Sequence, residues 1–268
     1  MTRKSVCWIT GASSGIGAAI AQNMATKNYR LILSARNVAK LDEVAQQCIA
    51  AGAASDDVKV LPLDVTDMPA MASVVTEANA MFGQIDLLIN NAGVSQRSLC
   101  VDTEMDTYRR LFEVDVFGQI ALTQAVLPLM LQQGHGHIAV TASVAGKIGV
   151  DQRTGYCAAK HAMMGFFDAL RAEVTQKNIS VSTIVPGFIN TNIAQNALKG
   201  DGSTFARTDK DIANGMPADK AAEVIVRGLE KRKIEINVGE GIEMFGLYLK
   251  RFFPSILFKM VANRAKQY

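Results

Sequence analysis

Tyr156-Cys157-Ala158-Ala159-Lys160 places an acidic hydroxyl and a cation four residues apart. On a helix that spacing puts both side chains on one face, about 5–6 Å apart at Cβ. A free phenol ionises near pH 10, and moving that equilibrium to about pH 7 takes roughly 4 kcal/mol. One ammonium about 4 Å away, at an effective dielectric of about 20, supplies energy of that order. A tyrosine tuned in this way can protonate a carbonyl oxygen, or take the proton of an alcohol, while hydride moves at carbon. The motif is short enough to arise by chance on an ordinary surface helix, so its meaning rests on what precedes it.

Thr10-Gly11-Ala12-Ser13-Ser14-Gly15-Ile16-Gly17 follows the short apolar run Val6-Cys7-Trp8-Ile9, and helix formers occupy residues 18–27. Strand, glycine turn and helix together bind phosphate: glycines let backbone N–H groups approach a pyrophosphate, and the helix N-terminus adds partial positive charge. The spacing is G-x-x-x-G-x-G and departs from the G-x-G-x-x-G fingerprint. A tight connection is the plain alternative; the position after the first strand favours a dinucleotide. Roughly twenty residues on, where a carboxylate would hold the ribose hydroxyls of NAD, Ala35 and Arg36 stand instead. No acid is there to repel a 2′-phosphate, and Arg36 with Ser34 could grip one, so NADP(H) is expected over NAD(H). Arg36 as a solvated residue opening the next helix is the alternative. Asp64-Val65 stands where adenine would lie, or opens a helix. Asn90-Asn91-Ala92-Gly93 could line a nicotinamide ribose or tie neighbouring strands. Ser143 ends a strand on the side where open parallel sheets bind ligands, and its hydroxyl could bond a substrate oxygen beside Tyr156.

These residues need a frame, and the chain alternates apolar runs with helical pattern to supply it. Strands are expected at residues 6–9, 30–36, 58–61, 85–89, 138–140, 179–185 and 234–238, with helices at 18–27, 37–51, 68–82, 154–177 and 217–231. Residues 102–130 show a long helical pattern interrupted by Pro128. The expected fold is a single-domain α/β, Rossmann-type, doubly wound parallel sheet of about seven strands with right-handed crossovers. Residues 1–240 would form the dinucleotide-binding and catalytic domain. Residues 190–216 are polar and aperiodic after a strand end, which suggests a substrate lid.

At 268 residues the chain is ordinary for one large α/β domain. Its 49% hydrophobic and 20% charged content excludes disorder. A net charge of +3 with interspersed signs gives no stripe for nucleic acid. Cys7, Cys48, Cys100 and Cys157 lack disulfide or metal spacing and suggest reduced thiols in the cytoplasm. His135 and His137 have no carboxylate or thiol neighbours in the sequence and are weak metal evidence, so no metal site is expected. The apolar run after Met1-Thr2-Arg3-Lys4 is too short for a signal peptide, and no uninterrupted apolar stretch approaches the roughly 18 residues of a membrane span.

The ordered set Thr10-Gly11…Gly15-Ile16-Gly17, Asn90-Asn91-Ala92-Gly93, Ser143, Tyr156…Lys160 and Pro186-Gly187 resembles the classical short-chain dehydrogenase/reductase family over roughly residues 5 to 240. The resemblance implies Tyr156 as general acid/base, Ser143 holding the substrate oxygen, and Lys160 lowering the tyrosine's proton affinity while bonding the nicotinamide ribose. It also implies contacts to the nicotinamide half from Asn91 and Thr191 and adenine contacts from Asp64-Val65. Arg36 resembles the NADP-preferring branch, and a homodimer or homotetramer built on helix faces is implied. Asp115 stands where the family usually has an asparagine that holds a helix kink and a water of the proton relay. It keeps the acceptor, loses the amide donor, and adds a negative charge that could raise the lysine pKa.

Residues 245–268 carry Phe245, Leu247, Tyr248, Leu249, Phe252, Phe253, Ile256, Leu257, Phe258, Met260 and Val261 among five basic residues and no acid, divided by Pro254. Peripheral membrane contact as a basic amphipathic helix, resembling tails of the hydroxysteroid dehydrogenase-like branch, competes with a pocket wall and a subunit interface. The expected function is NADP(H)-dependent hydride transfer to or from a small-molecule carbonyl or secondary alcohol, of steroid, retinoid or fatty-acyl character. A catalytically silent NADP(H) sensor or scaffold is the alternative, favoured only by Asp115. A serine hydrolase is excluded because Ser143 lacks a Gly-x-Ser-x-Gly elbow.

Overall fold

The structure, a computed structural model, describes residues 3–265, with side chains to residue 263. Seven parallel strands form the central sheet: β1 (Ser5–Thr10), β2 (Tyr29–Ser34), β3 (Val58–Val60), β4 (Leu87–Asn90), β5 (Gly136–Thr141), β6 (Ile179–Pro186) and β9 (Glu235–Val238). Their order in the sheet is β3-β2-β1-β4-β5-β6-β9. Two short strands, β7 (Ile189–Asn190) and β8 (Met216–Pro217), pair apart from it. The strands are short and apolar because both faces are covered. Alternate residues show this directly. Cys7, Ile9, Leu31 and Leu33 meet helices α1 (Gly15–Ala25), α2 (Val38–Ala50) and α8 (Ala218–Glu230) on one side. Val6, Trp8, Ile32 and Leu88 meet α3 (Met71–Phe82), α5 (Gly118–Gln133) and α6 (Thr154–Val174) on the other.

Several boundaries move for identifiable reasons. Helix α1 begins at Gly15, three residues before the helix-forming run, so the glycine turn is itself the helix start. β2 ends at Ser34, which leaves Arg36 beyond the strand and exposed. β4 begins at Leu87 because the Asp86 carboxylate takes the Val6 N–H at 2.7 Å. Pro128 does not interrupt its helix: α5 runs through it and ends at the left-handed Gly134. Burial of Leu122, Val126 and Met130 outweighs the roughly 3 kcal/mol that an interior proline costs. The irregularity lies instead at Glu113–Phe117, a π-helical turn between α4 (Met105–Phe112) and α5. Met105–Gln133, although interrupted by charged and polar residues, is long and apolar enough to cross a membrane by length and composition, but its apolar stripe packs into the core. The residues 190–216 are organised rather than structureless, with the β7–β8 pair, the short helix α7 (Lys210–Ala213) and a bridge between Leu198 and Gln96. The chain then forms two helices, α9 (Ile242–Phe252) and α10 (Pro254–Ala265), divided at Pro254 as expected; residues 266–268 lie outside the described residues.

Candidate functional site

The strand order reverses between β1 and β4, and ligands of such sheets sit beyond the strand ends at that point. A cleft of ≈ 1670 Å³ lies there, bordered by Thr10, Ser34, Asn91, Thr141 and Pro186 at the ends of five strands. A single small-ligand pocket holds about 300–1,000 Å³, so this cleft has room for a dinucleotide and a second molecule.

The glycine turn has the properties of an anion cradle. Gly11 and Gly15 adopt φ of 64° and 57°, which L side chains rarely tolerate. Ser14 caps α1 with no side-chain hydrogen bond, and the first turn carries no acid, so its amides remain open toward the cleft. Gly11, Ser13, Ser14, Gly15 and Ile16 line the cleft. Gly17, expected as a cofactor contact, does not: a Cβ there would overlap the Gly11 carbonyl oxygen and lie 2.6 Å from Asn91 Nδ2. Its requirement is close packing behind the turn. These features fit a pyrophosphate, and the residues that would hold an adenosine follow from β2 and β3. Arg36 borders the cleft with no carboxylate at its own strand end. Ser34 is fully buried and accepts from Trp8 Nε1 at 2.8 Å, so its hydroxyl serves the core as well as the cleft. Asp64 and Val65 also border it. Burial favours the neutral Asp64 carboxyl, but the Thr66 amide and hydroxyl and the Arg36 charge outweigh this and hold it below the ordinary carboxylate range.

Asn91 resolves into a tie between strands. Its Nδ2 donates to Thr10 O at 3.1 Å, and its Oδ1 accepts from Thr141 Oγ1 at 3.1 Å. Its amide is therefore occupied, although the residue borders the cleft with Ala92, Gly93, Pro186, Gly187 and Thr191. Ser143 Oγ accepts from the Ala145 amide at 3.1 Å and donates weakly to Pro186 O at 3.4 Å.

Tyr156 and Lys160 lie on α6 and are 7% and 3% exposed. Lys160 Nζ stands 5.6 Å from the Tyr156 ring centre, as the helical spacing requires. The Tyr156 hydroxyl has no hydrogen-bond partner among the described residues. Lys160 Nζ donates to Thr141 O at 3.1 Å and stands 3.3 Å from Asp115 Oδ2. Asp115 is at the centre of the π-helical turn, wholly buried, and its Oδ1 accepts from the Val94 amide at 2.7 Å. Burial pushes the Asp115 carboxyl up against the opposing pull of Lys160 and the Val94 amide. Burial pulls Lys160 down, but Asp115 and Tyr156 together hold it above the ordinary lysine value.

The histidines of residues 135–137 do other work. His135 Nε2 meets Asp86 at 2.8 Å and His137 Nε2 meets Ser182 Oγ at 2.8 Å, while burial lowers the His137 pKa to about 4. Three parts of the site carry no spacing signal. Gln96 reaches the first turn of α6. Asp209 pairs with both Arg97 and Arg153 across the cleft wall. The tail supplies an apolar wall: Leu257 is buried with Val144, Ile148 and Val185, and Leu249, Met260 and Val261 line the cleft. Only the tail had any visible signal, its apolar composition.

Residues 5–202 match the family model described as short chain dehydrogenase. Over 261 residues the chain is 40% identical to the Drosophila melanogaster dehydrogenase/reductase SDR family protein 7-like, covering 97% of this chain and 80% of the relative. The crystal structure of a short chain dehydrogenase/reductase from Burkholderia phymatum in complex with NAD superposes with a TM-score of 0.77 at 26% identity, covering 88% of this chain and 90% of that one. A metagenomic short-chain oxidoreductase in complex with NADP gives 0.64 at 32% identity, covering 68% and 81%.

Proposed function

The chain belongs to the short-chain dehydrogenase family, an oxidoreductase family whose fold binds a nicotinamide cofactor, and from that premise we propose that it is an NADP(H)-dependent reductase of lipophilic carbonyl compounds. The carrying observation is the cleft that joins an uncapped glycine turn, Arg36 and Tyr156–Lys160 in one volume. Solved neighbours hold either NAD or NADP, so the preference rests on Arg36 and the missing acid beside it. The glycine turn would hold the pyrophosphate, Arg36 the 2′-phosphate, Asp64-Val65 the adenine, and Lys160 with Thr191 the nicotinamide half, which Asn91 would border while tying the strands. Bound there, the nicotinamide supplies hydride to the carbonyl carbon, or accepts it from the alcohol.

Tyr156 donates its phenolic proton to the carbonyl oxygen, which Ser143 holds by a hydrogen bond. Lys160, kept charged by Asp115, stabilises the tyrosinate that remains. The hydroxyl has no partner among the described residues, which leaves its proton available to a substrate. This arrangement speaks against the silent sensor, which needs no activated phenol. The apolar tail wall supports a bulky substrate, and residues 190–216 close the opposite side as its lid. Turnover of NADPH by a panel of ketones and aldehydes, at a higher kcat/KM than NADH, tests the reading; tight NADPH binding with no turnover on the panel would favour the sensor.

Asp115 balances the Lys160 charge where an asparagine would not. Asp115→Asn leaves one net positive charge beside Tyr156 and removes the partner that raises Lys160, and both changes move the pH profile of alcohol oxidation to lower pH. Protonated Asp115 resembles asparagine, so the two profiles converge at acidic pH and separate above the raised Asp115 ionisation. Turnover stays at or above wild type; a folded but inactive variant, or an unmoved profile, refutes this role.

The outer faces of α9 and α10 and the residue between them expose Phe245, Tyr248, Phe252, Phe253 and Phe258, with Lys250 over the Phe258 ring at 4.4 Å. With Arg251 and Lys259 they suit an anionic lipid interface while the inner faces line the cleft. The protein should sediment with anionic vesicles, and full recovery in the supernatant would remove this contact. Free thiols at Cys7, Cys48, Cys100 and Cys157 support a cytoplasmic setting for such a peripheral enzyme. Phe117 at the end of the π-helical turn and Leu131 on α5, both exposed, support a homodimer or homotetramer; sedimentation as a monomer counts against it.

A further inference from the structure

Gln96 has no exposed surface, and its side-chain amide is filled on both ends. Its Oε1 accepts from the backbone N–H of Gly155 at 2.7 Å and of Tyr156 at 3.3 Å. Its Nε2 donates to Ser98 Oγ at 3.0 Å and Thr103 Oγ1 at 3.2 Å. Thr103 donates onward to Leu99 O at 2.6 Å, which directs the Ser98 proton to Thr103 and leaves both hydroxyls as acceptors for Gln96. Two N–H donors on one side and two hydroxyl acceptors on the other permit only one orientation of the amide.

The start of α6 has no cap of its own, since Arg153 at the N-cap position makes no side-chain bond to the helix. The turn that carries Tyr156 is therefore held from a residue 60 positions away in the chain. The backbone around Gln96 is held in turn by the cleft wall: Leu198 N donates to Ser95 O and Arg97 N donates to Leu198 O, each at 2.8 Å. Asp209 of the same wall segment pairs with Arg97 and Arg153, next to Gln96 and next but one to Gly155.

We infer that Gln96 is a positioning residue for Tyr156, fixing the first turn of α6 against the cleft wall at Leu198 so that the phenol meets the substrate oxygen in one orientation. The inference rests on the oxidoreductase reading and deepens it. Gln96→Met keeps the length of the side chain and removes both polar ends. Gln96→Glu keeps the acceptors, and the Ser98 and Thr103 hydroxyls can turn to donate to it. Amide hydrogen exchange at Gly155 and Tyr156, NADPH affinity and kcat with a ketone are measured in both.

Gln96→Met should raise exchange at these two amides about tenfold or more and lower kcat roughly 10- to 100-fold, the order that a misplacement of about 1 Å costs. NADPH affinity, set by the glycine turn, should stay within about threefold. Gln96→Glu should restore protection and most of kcat, and its charge should move the oxidative pH profile to higher pH. Wild-type protection in Gln96→Met, lost protection with unchanged kcat, or a Glu variant as impaired as Met each overturn the inference. If Gln96→Met does not fold, exchange and the pH profile of Gln96→Glu decide it. A wild-type enzyme that turns over no carbonyl defeats the oxidoreductase reading instead, and the exchange result still decides whether Gln96 holds the turn.

Discussion

Tyr156→Phe should lower ketone reduction by about 100- to 10,000-fold, the range that a positioned general acid contributes. That corresponds to roughly 3–5 kcal/mol of transition-state stabilisation. The fold should be nearly indifferent. The ring is 7% exposed and packs with Ala145 and Cys157, contacts that phenylalanine keeps. The hydroxyl has no partner among the described residues, so its removal strands no buried donor or acceptor, and unfolding free energy should move by less than about 0.5 kcal/mol. Phenylalanine also leaves Lys160 its bond to Thr141 O and its ion pair with Asp115. Loss of turnover with unchanged thermal stability and retained NADPH binding is the expected combination, read by steady-state kinetics beside a melting curve. A variant retaining a tenth or more of wild-type kcat contradicts the assignment of the proton to Tyr156.

Arg36→Ala should weaken NADPH binding by about 10- to 100-fold and leave NADH within about twofold. A hydrogen bond to a charged group contributes about 1.5–3 kcal/mol, which converts to that range of dissociation constants. The residue is exposed beyond β2 and borders the cleft, so its removal disturbs no core contact. Asp64 feels the Arg36 charge, yet the Thr66 hydrogen bonds hold that carboxylate in place without it, and the adenine side should survive. Titration of both reduced cofactors by fluorescence measures the two constants. Equal losses for NADPH and NADH would assign Arg36 a general structural role, and wild-type preference for NADH would refute the NADP reading altogether.

The sheet and the core of the site were legible in the sequence because their signals are local. Val6–Ile9 followed by glycines, and a tyrosine four residues before a lysine, state their geometry within a single turn or strand. The expected sheet of about seven strands is present with every strand near its anticipated place. What the sequence concealed depends on partners far along the chain. Gln96 is an unremarkable amide in a polar loop until α6 arrives above it. Asp209 acquires its arginines only when residues 190–216 fold back over residues 97 and 153. Gly17 read as a phosphate contact because its neighbours are, whereas its constraint comes from Gly11 and Asn91 behind it. Pro128 signalled a break by local rules, but packing on both sides of it decides the helix and the real irregularity is the turn around Asp115. The tail was visible as composition, and its division into a cleft-lining face and an exposed aromatic face required the fold.

Hydride should pass between cofactor and substrate in the cleft that Tyr156 and the glycine turn share. Incubation with NADPH carrying deuterium at the transferable nicotinamide position and a lipophilic ketone, followed by mass spectrometry of the product, tests it most directly. The expected product is an alcohol labelled once, on the former carbonyl carbon, formed by wild type and nearly absent with Tyr156→Phe. Unlabelled alcohol, or label transfer that survives unchanged in the variant, would contradict it.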